Sequence, residues 1–377
     1  MDKAERIYRN LQRHLDKQAV GYPATKSGAE IRILKRFFSP EEAQLAMHLT
    51  YKPTSIEHIY ELVKGGGLSL SAVENMLDNM AKNGVIGVVE RKGGRYFCTV
   101  PFVVGMFEGQ VTKLTPEFLS DVEQYTTDKA FGLAFLSTEL PQMRTIPVSK
   151  SISVEHHVTT HDHMVDIING MDGPFAILEC ICRKSAGIKG NPCKKTSRQE
   201  TCMTFGNMAK HVIQNGIGRA IDKEEALAIA RMNEADGLVF QPSNTQKVDF
   251  VCACCGCCCG MLRVQKRLPK PVDFWATNYF ASVNAETCSS CGTCVERCQV
   301  NAVTVDDRVG ASFVNLDRCI GCGNCVITCP TGAMSLRKKE KETLPPQDLE
   351  GLYDVIMANK KGALGKIKLA TKLMLKK

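Results

Sequence analysis

The distribution of cysteines is the feature of this 377-residue sequence that most constrains its fold. The chain contains 19 cysteines, of which six fall within residues 252–259 and eight within residues 288–329. Thiols crowded in this way cannot all form disulfides with distant partners. In a large chain that starts without the apolar stretch of a secretory signal, clustered cysteines indicate metal ligands. We therefore expect a fold organised around metal centres.

The eight downstream cysteines form an internal repeat with an offset of 31 residues. Each copy has the spacing Cys-x2-Cys-x2-Cys-x3-Cys, and the copies differ in the next residue, Gln299 in the first and Pro330 in the second. Three cysteines at intervals of three residues wrap a tight loop around one corner of a cubane. A pair of zinc knuckles is the alternative, and the doubled spacing disfavours it.

The segment 275–336 that contains this repeat resembles the bacterial two-cluster ferredoxin. In that family the fourth cysteine of each copy ligates the cluster of the other copy. Gln299 departs from the proline of the pattern without removing a ligand. The resemblance implies two [4Fe–4S] clusters, the first on Cys288, Cys291, Cys294 and Cys329, the second on Cys319, Cys322, Cys325 and Cys298.

A first group of upstream cysteines is spread over 23 residues and has basic neighbours such as Arg183 and Lys184. Four thiols suffice for one [4Fe–4S] cluster or one structural zinc ion, and nearby cations favour thiolates. We predict a third cluster here, with zinc or free thiols as the alternatives. The four residues are Cys180, Cys182, Cys193 and Cys202.

A second upstream group occupies the run 252–259. No single cubane uses six thiols, so at least two of them are spare, redox-active or bound elsewhere. We predict a further cluster on a subset that the sequence does not identify. Overlapping Cys-x-x-Cys pairs also suit thiol–disulfide exchange, and zinc is a third option. The six residues are Cys252, Cys254, Cys255, Cys257, Cys258 and Cys259.

Most of the chain resembles a family of [4Fe–4S] dicluster ferredoxin-domain proteins of anaerobic bacteria and archaea. Besides the two upstream cysteine groups and the repeat, the resemblance is carried by the segments 101–108 and 218–226. It implies electron transfer in anaerobic metabolism and brings no known substrate.

The front of the chain predicts helices followed by a hairpin. Helix-start signals occur at Ser39, Ser55 and Ser69, the third helix ends near residues 83–84, and two β-rich stretches follow up to residue 100. This order resembles a winged helix-turn-helix domain. Residues 31–100 carry nine basic and seven acidic side chains, a weak footprint for nucleic acid. We therefore expect a structural or protein-contact role and disfavour DNA binding.

The end of the chain is basic. Residues 337–377 contain eleven Lys or Arg and five Asp or Glu residues. We expect either a solvated terminus or an amphipathic helix that docks on an acidic partner or a membrane surface. Four histidines between residues 156 and 163 indicate a polar turn or a strand edge, with metal binding as the minority alternative.

These observations predict an α+β protein. We expect it to be cytoplasmic, since no apolar run approaches the roughly 18 residues that span a bilayer. The expected function is to relay single electrons through [4Fe–4S] clusters to or from a partner oxidoreductase, as a carrier or subunit. A redox-sensing winged-helix regulator and a reductase that uses residues 252–259 are the alternatives. The expected parts are an N-terminal helix (1–30), a winged-helix-like domain (31–110), a helical connector (111–150), a cysteine-rich central domain (151–270), the ferredoxin domain (275–336) and a basic tail (337–377).

Overall fold

The computed structural model describes residues 2–91, 93–138, 140–152 and 160–375. Helices alternate with short, mostly antiparallel strands, so the fold class is α+β. The chain divides into two compact units. Among the described helices, none has both the length and the apolar character that crossing a membrane requires.

Unit 1 comprises Met1–Glu139, Ile213–Ile217 and Tyr353–Lys372. Its helices and strands are, in chain order, α1 (Lys3–Lys17), α2 (Ala29–Phe37), α3 (Pro40–Ala46), β1 (Thr54–Ser55), α4 (Ile56–Val63), α5 (Leu70–Lys82), β2 (Ile86–Arg91), β3 (Gly94–Thr99), α6 (Pro116–Thr127) and α7 (Lys129–Leu136). The strands form one antiparallel sheet in the order β1-β3-β2.

The three predicted helix starts of unit 1 are confirmed. Ser39 caps α3 in a capping box, because its hydroxyl accepts from the amide of Glu42 at 3.1 Å while its own amide donates to the Glu42 carboxylate at 2.8 Å. Ser55 caps α4 and Ser69 caps α5, because their hydroxyls accept from the amides of His58 and Ala72. Such caps satisfy amides at the first turn that have no partner within the helix.

Unit 2 comprises Leu140–Val212, Gly218–Leu352 and Leu373–Lys377. Its first part contains α8 (Met164–Asn169), β4 (Phe175–Glu179), α9 (Ile181–Ile188), β5 (Glu200–Phe205), α10 (Gly206–Gln214), β6 (Arg219–Ile221), α11 (Lys223–Ala235), β7 (Val239–Pro242), β8 (Phe250–Cys254) and α12 (Gly260–Arg267). The strands form an antiparallel sheet in the order β6-β4-β5-β8-β7.

This five-stranded sheet separates two hydrophobic cores. Along β8, Val251 and Ala253 belong to one core, whereas Cys252 and Cys254 belong to the other. Successive side chains of a strand point to opposite faces, so each core covers one face of the sheet. The first core contains mostly aliphatic and aromatic side chains, and the second contains many cysteines.

The second part of unit 2 consists of two short hairpins and a helix. Its elements are β9 (Tyr279–Val283), α13 (Thr293–Arg297), β10 (Val303–Asp306), β11 (Ala311–Val314) and β12 (Met334–Lys338). β9 pairs with β12 and β10 pairs with β11, both antiparallel. The strand β12 therefore continues two residues past the expected end of the ferredoxin domain.

Two helices close the chain, α14 (Leu349–Ala358) and α15 (Ala363–Leu375). Within unit 1, the hydroxyl of Tyr51 donates to the Asp354 carboxylate at 2.7 Å, and the Lys360 ammonium donates to the carbonyl of Asp16 at 2.7 Å. Part of the segment expected as a basic tail is thus helical and hydrogen-bonded.

Candidate metal centres

The two loops of the repeat bring the eight downstream cysteines into two sets that exchange their fourth members. The charges of Cys298 and Cys319 act on Cys322, and together with burial, the largest cause, they raise the pKa of Cys322 to about 12. In the first loop, hydrogen bonds from Ser312 and Ser290 hold the pKa of Cys288 below its usual range, and the charge of nearby Cys329 opposes them. We call Cys288, Cys291, Cys294 and Cys329 the outer set and Cys298, Cys319, Cys322 and Cys325 the inner set.

Backbone amides point at sulfurs in both sets. The amide of Ser312 donates to Cys288 at 3.4 Å in the outer set. In the inner set, the amides of Ala302 and Ala281 donate to Cys298 at 3.2 Å and to Cys319 at 3.3 Å. Such bonds stabilise thiolates and tune the potential of a bound cluster. The donor set and its amide contacts therefore fit two [4Fe–4S] clusters.

The two sets differ in exposure. Cys291 of the outer set is exposed, and hydrogen bonds from Thr293 hold its pKa below the usual range. Cys319 and Cys325 of the inner set are buried, and burial raises the pKa of each thiol above the usual range. The outer set thus has one thiol at the surface, Cys291, although its Cys294 lies with Cys319 and Cys325 in the cysteine-rich core of unit 2.

The central cysteines form two groups in space, and these are not the two groups predicted from the sequence. Cys193, predicted together with Cys180, Cys182 and Cys202, instead contacts three residues of the run 252–259. Its sulfur lies 3.5 Å from that of Cys255 and 3.7 Å from that of Cys257. The Cys257 sulfur lies 3.5 Å from Cys255 and 3.7 Å from Cys258. We call these residues the four-thiol set, Cys193, Cys255, Cys257 and Cys258, whose sulfurs all lie within 4.8 Å of one another.

The other six central cysteines make a closed ring of thiol contacts. Cys180 contacts Cys182 and Cys202, Cys252 contacts Cys202 and Cys254, and Cys259 contacts Cys182 and Cys254. Each of the six therefore touches two others. We call them the six-thiol ring.

The strands explain how the ring and the four-thiol set separate. Cys252 and Cys254 alternate on β8 and face the cysteine-rich core, where Cys259 joins them from the start of α12. Cys255 and Cys258 belong to the core on the other face of the sheet. Residues next to each other in sequence thus reach opposite faces, because the turn after β8 begins at Cys255.

A buried arginine lies beside both groups. Arg183 of α9 is 1% exposed, and its guanidinium donates to the Thr201 hydroxyl at 2.7 Å and to Cys193. Burial opposes its charge, but the nearby thiols Cys180 and Cys255 raise the pKa of Arg183 above its ordinary value. A cation held here favours thiolates in both sets.

Gln299, the residue that departs from the ferredoxin pattern, connects the repeat to the run 252–259 by a hydrogen bond. Its side-chain oxygen accepts from the amide of Gly256 at 2.8 Å. Gln299 is 2% exposed, so this hydrogen bond is shielded from solvent. A proline at this position has no side-chain acceptor for the Gly256 amide.

The described histidines do not form a metal site with their acidic neighbour. Asp162 is buried and paired with Arg144 at 3.1 Å, and it also accepts from Asn278 at 2.9 Å. The predicted histidines His156 and His157 lie outside the described residues.

Comparison with known proteins identifies one part of the chain. Residues 281–330 match the family model of the 4Fe-4S dicluster domain, so the chain contains an iron–sulfur domain. No curated protein and no solved structure matches the chain. The predicted ferredoxin-like domain is therefore confirmed, and the central cysteine sites rest on their geometry.

Three features of the site are missing from the sequence interpretation. These are the transfer of Cys193 to the four-thiol set, the burial of Arg183, and the contact of Gln299 with Gly256. The sequence did contain one signal, since Gln299 interrupts the symmetry of the repeat at a position next to a ligand.

Proposed function

We propose that this protein relays single electrons between a partner oxidoreductase and a buried thiol site, through two [4Fe–4S] clusters. The observation that carries the proposal is that one hydrophobic core contains thiols of the outer set, the inner set and the six-thiol ring. Its members include Cys294, Cys319 and Cys325 together with Cys254 and Cys259. A shared hydrophobic core places thiols of the three sites next to one another.

When bound, a [4Fe–4S] cluster accepts and releases one electron at a potential that its surroundings set. The residues of this chain do the rest. The eight thiolates would hold the clusters, and the amides of Ser312, Ala302 and Ala281 would offset the negative charge at the sulfurs. Burial of the inner set excludes water and lowers the local dielectric constant.

The difference in exposure between the two sets suggests the path of the electrons, from the outer set at the surface to the buried inner set. Cys291 is the exposed thiol of the outer set, so a partner reaches the outer cluster first. The inner set shares its core with the six-thiol ring and makes the connection inward. We assign the ring as a further iron–sulfur site, because its Cys252, Cys254 and Cys259 lie in the same cysteine-rich core as the inner set.

The first experiment counts iron and acid-labile sulfide in protein purified without oxygen. We expect at least eight irons and eight sulfides per chain, with a paramagnetic signal on reduction. After brief exposure to air, alkylation and peptide mass spectrometry should label Cys291 before Cys319 and Cys325. Protein without iron and sulfide, or simultaneous labelling of both sets, would contradict the relay.

A reductase is the second candidate, because the ring has two thiols more than a cubane needs. In that case the ring itself would react with a disulfide or a small substrate. Alkylation of the anaerobic protein separates the two functions. Protection of Cys180, Cys202 and Cys252 supports a cluster, whereas fast labelling of two of the six ring thiols supports the reductase.

Unit 1 resembles a winged helix in the order of its elements, and we propose that it contacts protein rather than DNA. Arg95 of β3 is paired with Glu74 at 2.8 Å and with Asp78 at 2.5 Å, both on α5. Two carboxylates on the helix that would enter the major groove repel phosphate, and they engage the nearby arginine.

A further inference from the structure

The sulfur distances in the four-thiol set are too short for a cubane. In a cubane each thiolate binds a different iron, so the four sulfurs stand apart by the width of the cluster. In the four-thiol set, neighbouring sulfurs lie 3.5–3.7 Å apart. The ferredoxin cysteines provide an internal comparison, because among the described residues no three of their sulfurs pack within 4.8 Å of one another.

The same distances match a single tetrahedral ion. For a metal–sulfur bond of about 2.3 Å, sulfurs at the corners of a tetrahedron lie about 3.8 Å apart. Four thiolates in that arrangement close the coordination shell and leave no open position for substrate. Zinc and iron are the metals that take tetrahedral sites of four sulfurs.

The surroundings also suit a mononuclear site with negative charge. The amide of Lys195 donates to the Cys193 sulfur at 3.4 Å, and the amide of Lys194 donates to Cys257. The guanidinium of Arg183 donates to Cys193 from the buried side. Four thiolates on a divalent ion carry a net charge of about −2, which these donors offset.

We infer that Cys193, Cys255, Cys257 and Cys258 bind one tetrahedral metal ion, zinc or iron, separate from the iron–sulfur clusters. The ion would fasten the irregular segment between α9 and β5 to the turn after β8. That segment also contacts the ferredoxin part of unit 2, since the Lys195 ammonium donates to the carbonyl of Glu296 at 3.1 Å. The site therefore has a structural role, because it fastens these segments together and has a closed coordination shell.

The decisive measurement compares metal and acid-labile sulfide between the native chain and Cys257→Ser, both prepared without oxygen. We expect the variant to lose one ion per chain and no sulfide, because a mononuclear site contains no inorganic sulfur. Elemental analysis then identifies the lost ion as zinc or as iron. Loss of about four irons with four sulfides, or unchanged metal, would overturn the inference.

Two controls keep this result independent of the electron relay. Cys98→Ser makes the same substitution on β3 of unit 1 and should change neither metal nor sulfide. The reduced-state paramagnetic signal of the ferredoxin clusters should persist in Cys257→Ser, which shows that the variant folds.

X-ray absorption on the native chain gives a second test that needs no variant. A mononuclear site predicts an absorber with four sulfur neighbours at about 2.3 Å. Two results together would exclude the site: no signal at the zinc edge, and no iron in excess of the acid-labile sulfide that the clusters contain. Failure of the relay, in contrast, would appear as missing sulfide in every sample.

Discussion

Arg183 is the residue whose surroundings matter most for the central thiols. It is almost completely buried, and its guanidinium also donates to the carbonyls of Arg198 at 3.3 Å and Ala253 at 3.4 Å. A buried cation without a carboxylate partner is costly unless nearby groups are anionic. Thiolates of the four-thiol set would supply that charge, so Arg183 and the proposed metal site would stabilise each other.

Replacing Arg183 by Gln removes this charge and keeps hydrogen-bonding capacity. We expect the ion of the four-thiol set to bind roughly 10- to 100-fold more weakly, the usual effect of losing a partner just outside the ligands. Competition with a colorimetric chelator measures this change. Arg183→Lys retains the charge, so its affinity for the ion should lie between those of the native chain and Arg183→Gln. Equal metal affinity in all three proteins would contradict a role of Arg183 in stabilising the site.

At the scale of elements, the turn between β8 and α12 distributes the cysteines. It places Cys254 and Cys259 in one core and Cys255 and Cys258 in the other. Gly256 lies at the centre of this turn, where a Cβ would come within 2.2 Å of the Gln299 carbonyl oxygen. Glycine is therefore required for the close approach of the turn to the ferredoxin repeat.

Gly256→Ala should force these two segments apart. We expect a loss of about 1–3 kcal/mol in the free energy of unfolding, the usual cost of overpacking, and faster loss of iron from the inner set. Anaerobic thermal unfolding and the rate of bleaching measure the two effects.

Gly260→Ala is the matched control for this change. It lies in the same segment, at the start of α12, where a Cβ meets nothing within 4 Å. If Gly260→Ala destabilises the protein as much as Gly256→Ala, the close approach to Gln299 is not the cause.

At the scale of the whole molecule, charge and chemistry are divided between the units. Unit 2 contains the eighteen clustered cysteines, and unit 1 contains Cys98. In unit 1, Arg95 of the hairpin is paired with the carboxylates of Glu74 and Asp78. A nucleic-acid role would need this cation to be available for phosphate.

We therefore predict that the intact, cluster-loaded protein binds duplex DNA no more tightly than nonspecific proteins do. Fluorescence anisotropy with mixed-sequence duplexes at about 50 mM and 200 mM salt measures this directly. A double variant, Glu74→Gln with Asp78→Asn, releases Arg95 and should bind more tightly at low salt. Sequence-selective binding by the native chain that changes on oxidation would instead support a redox-sensing regulator.

The sequence by itself determined the iron–sulfur chemistry, because ligand spacing in the repeat is a local property. Three cysteines at intervals of three residues must wrap one site whatever the rest of the chain does, and the match to the dicluster domain over residues 281–330 agrees with this. Helix starts at Ser39, Ser55 and Ser69 were equally predictable, because a cap involves residues only three positions apart.

Only the tertiary structure decided how the central cysteines divide. Cys193 and Cys255 are 62 positions apart and lie 3.5 Å from each other, whereas Cys254 and Cys255 are adjacent and face different cores. The division depends on strand alternation and on the pairing of β5 with β8, and such long-range contacts leave no local pattern. For the same physical reason, the partners of Gln299 and Arg183 became visible only once the chain was folded.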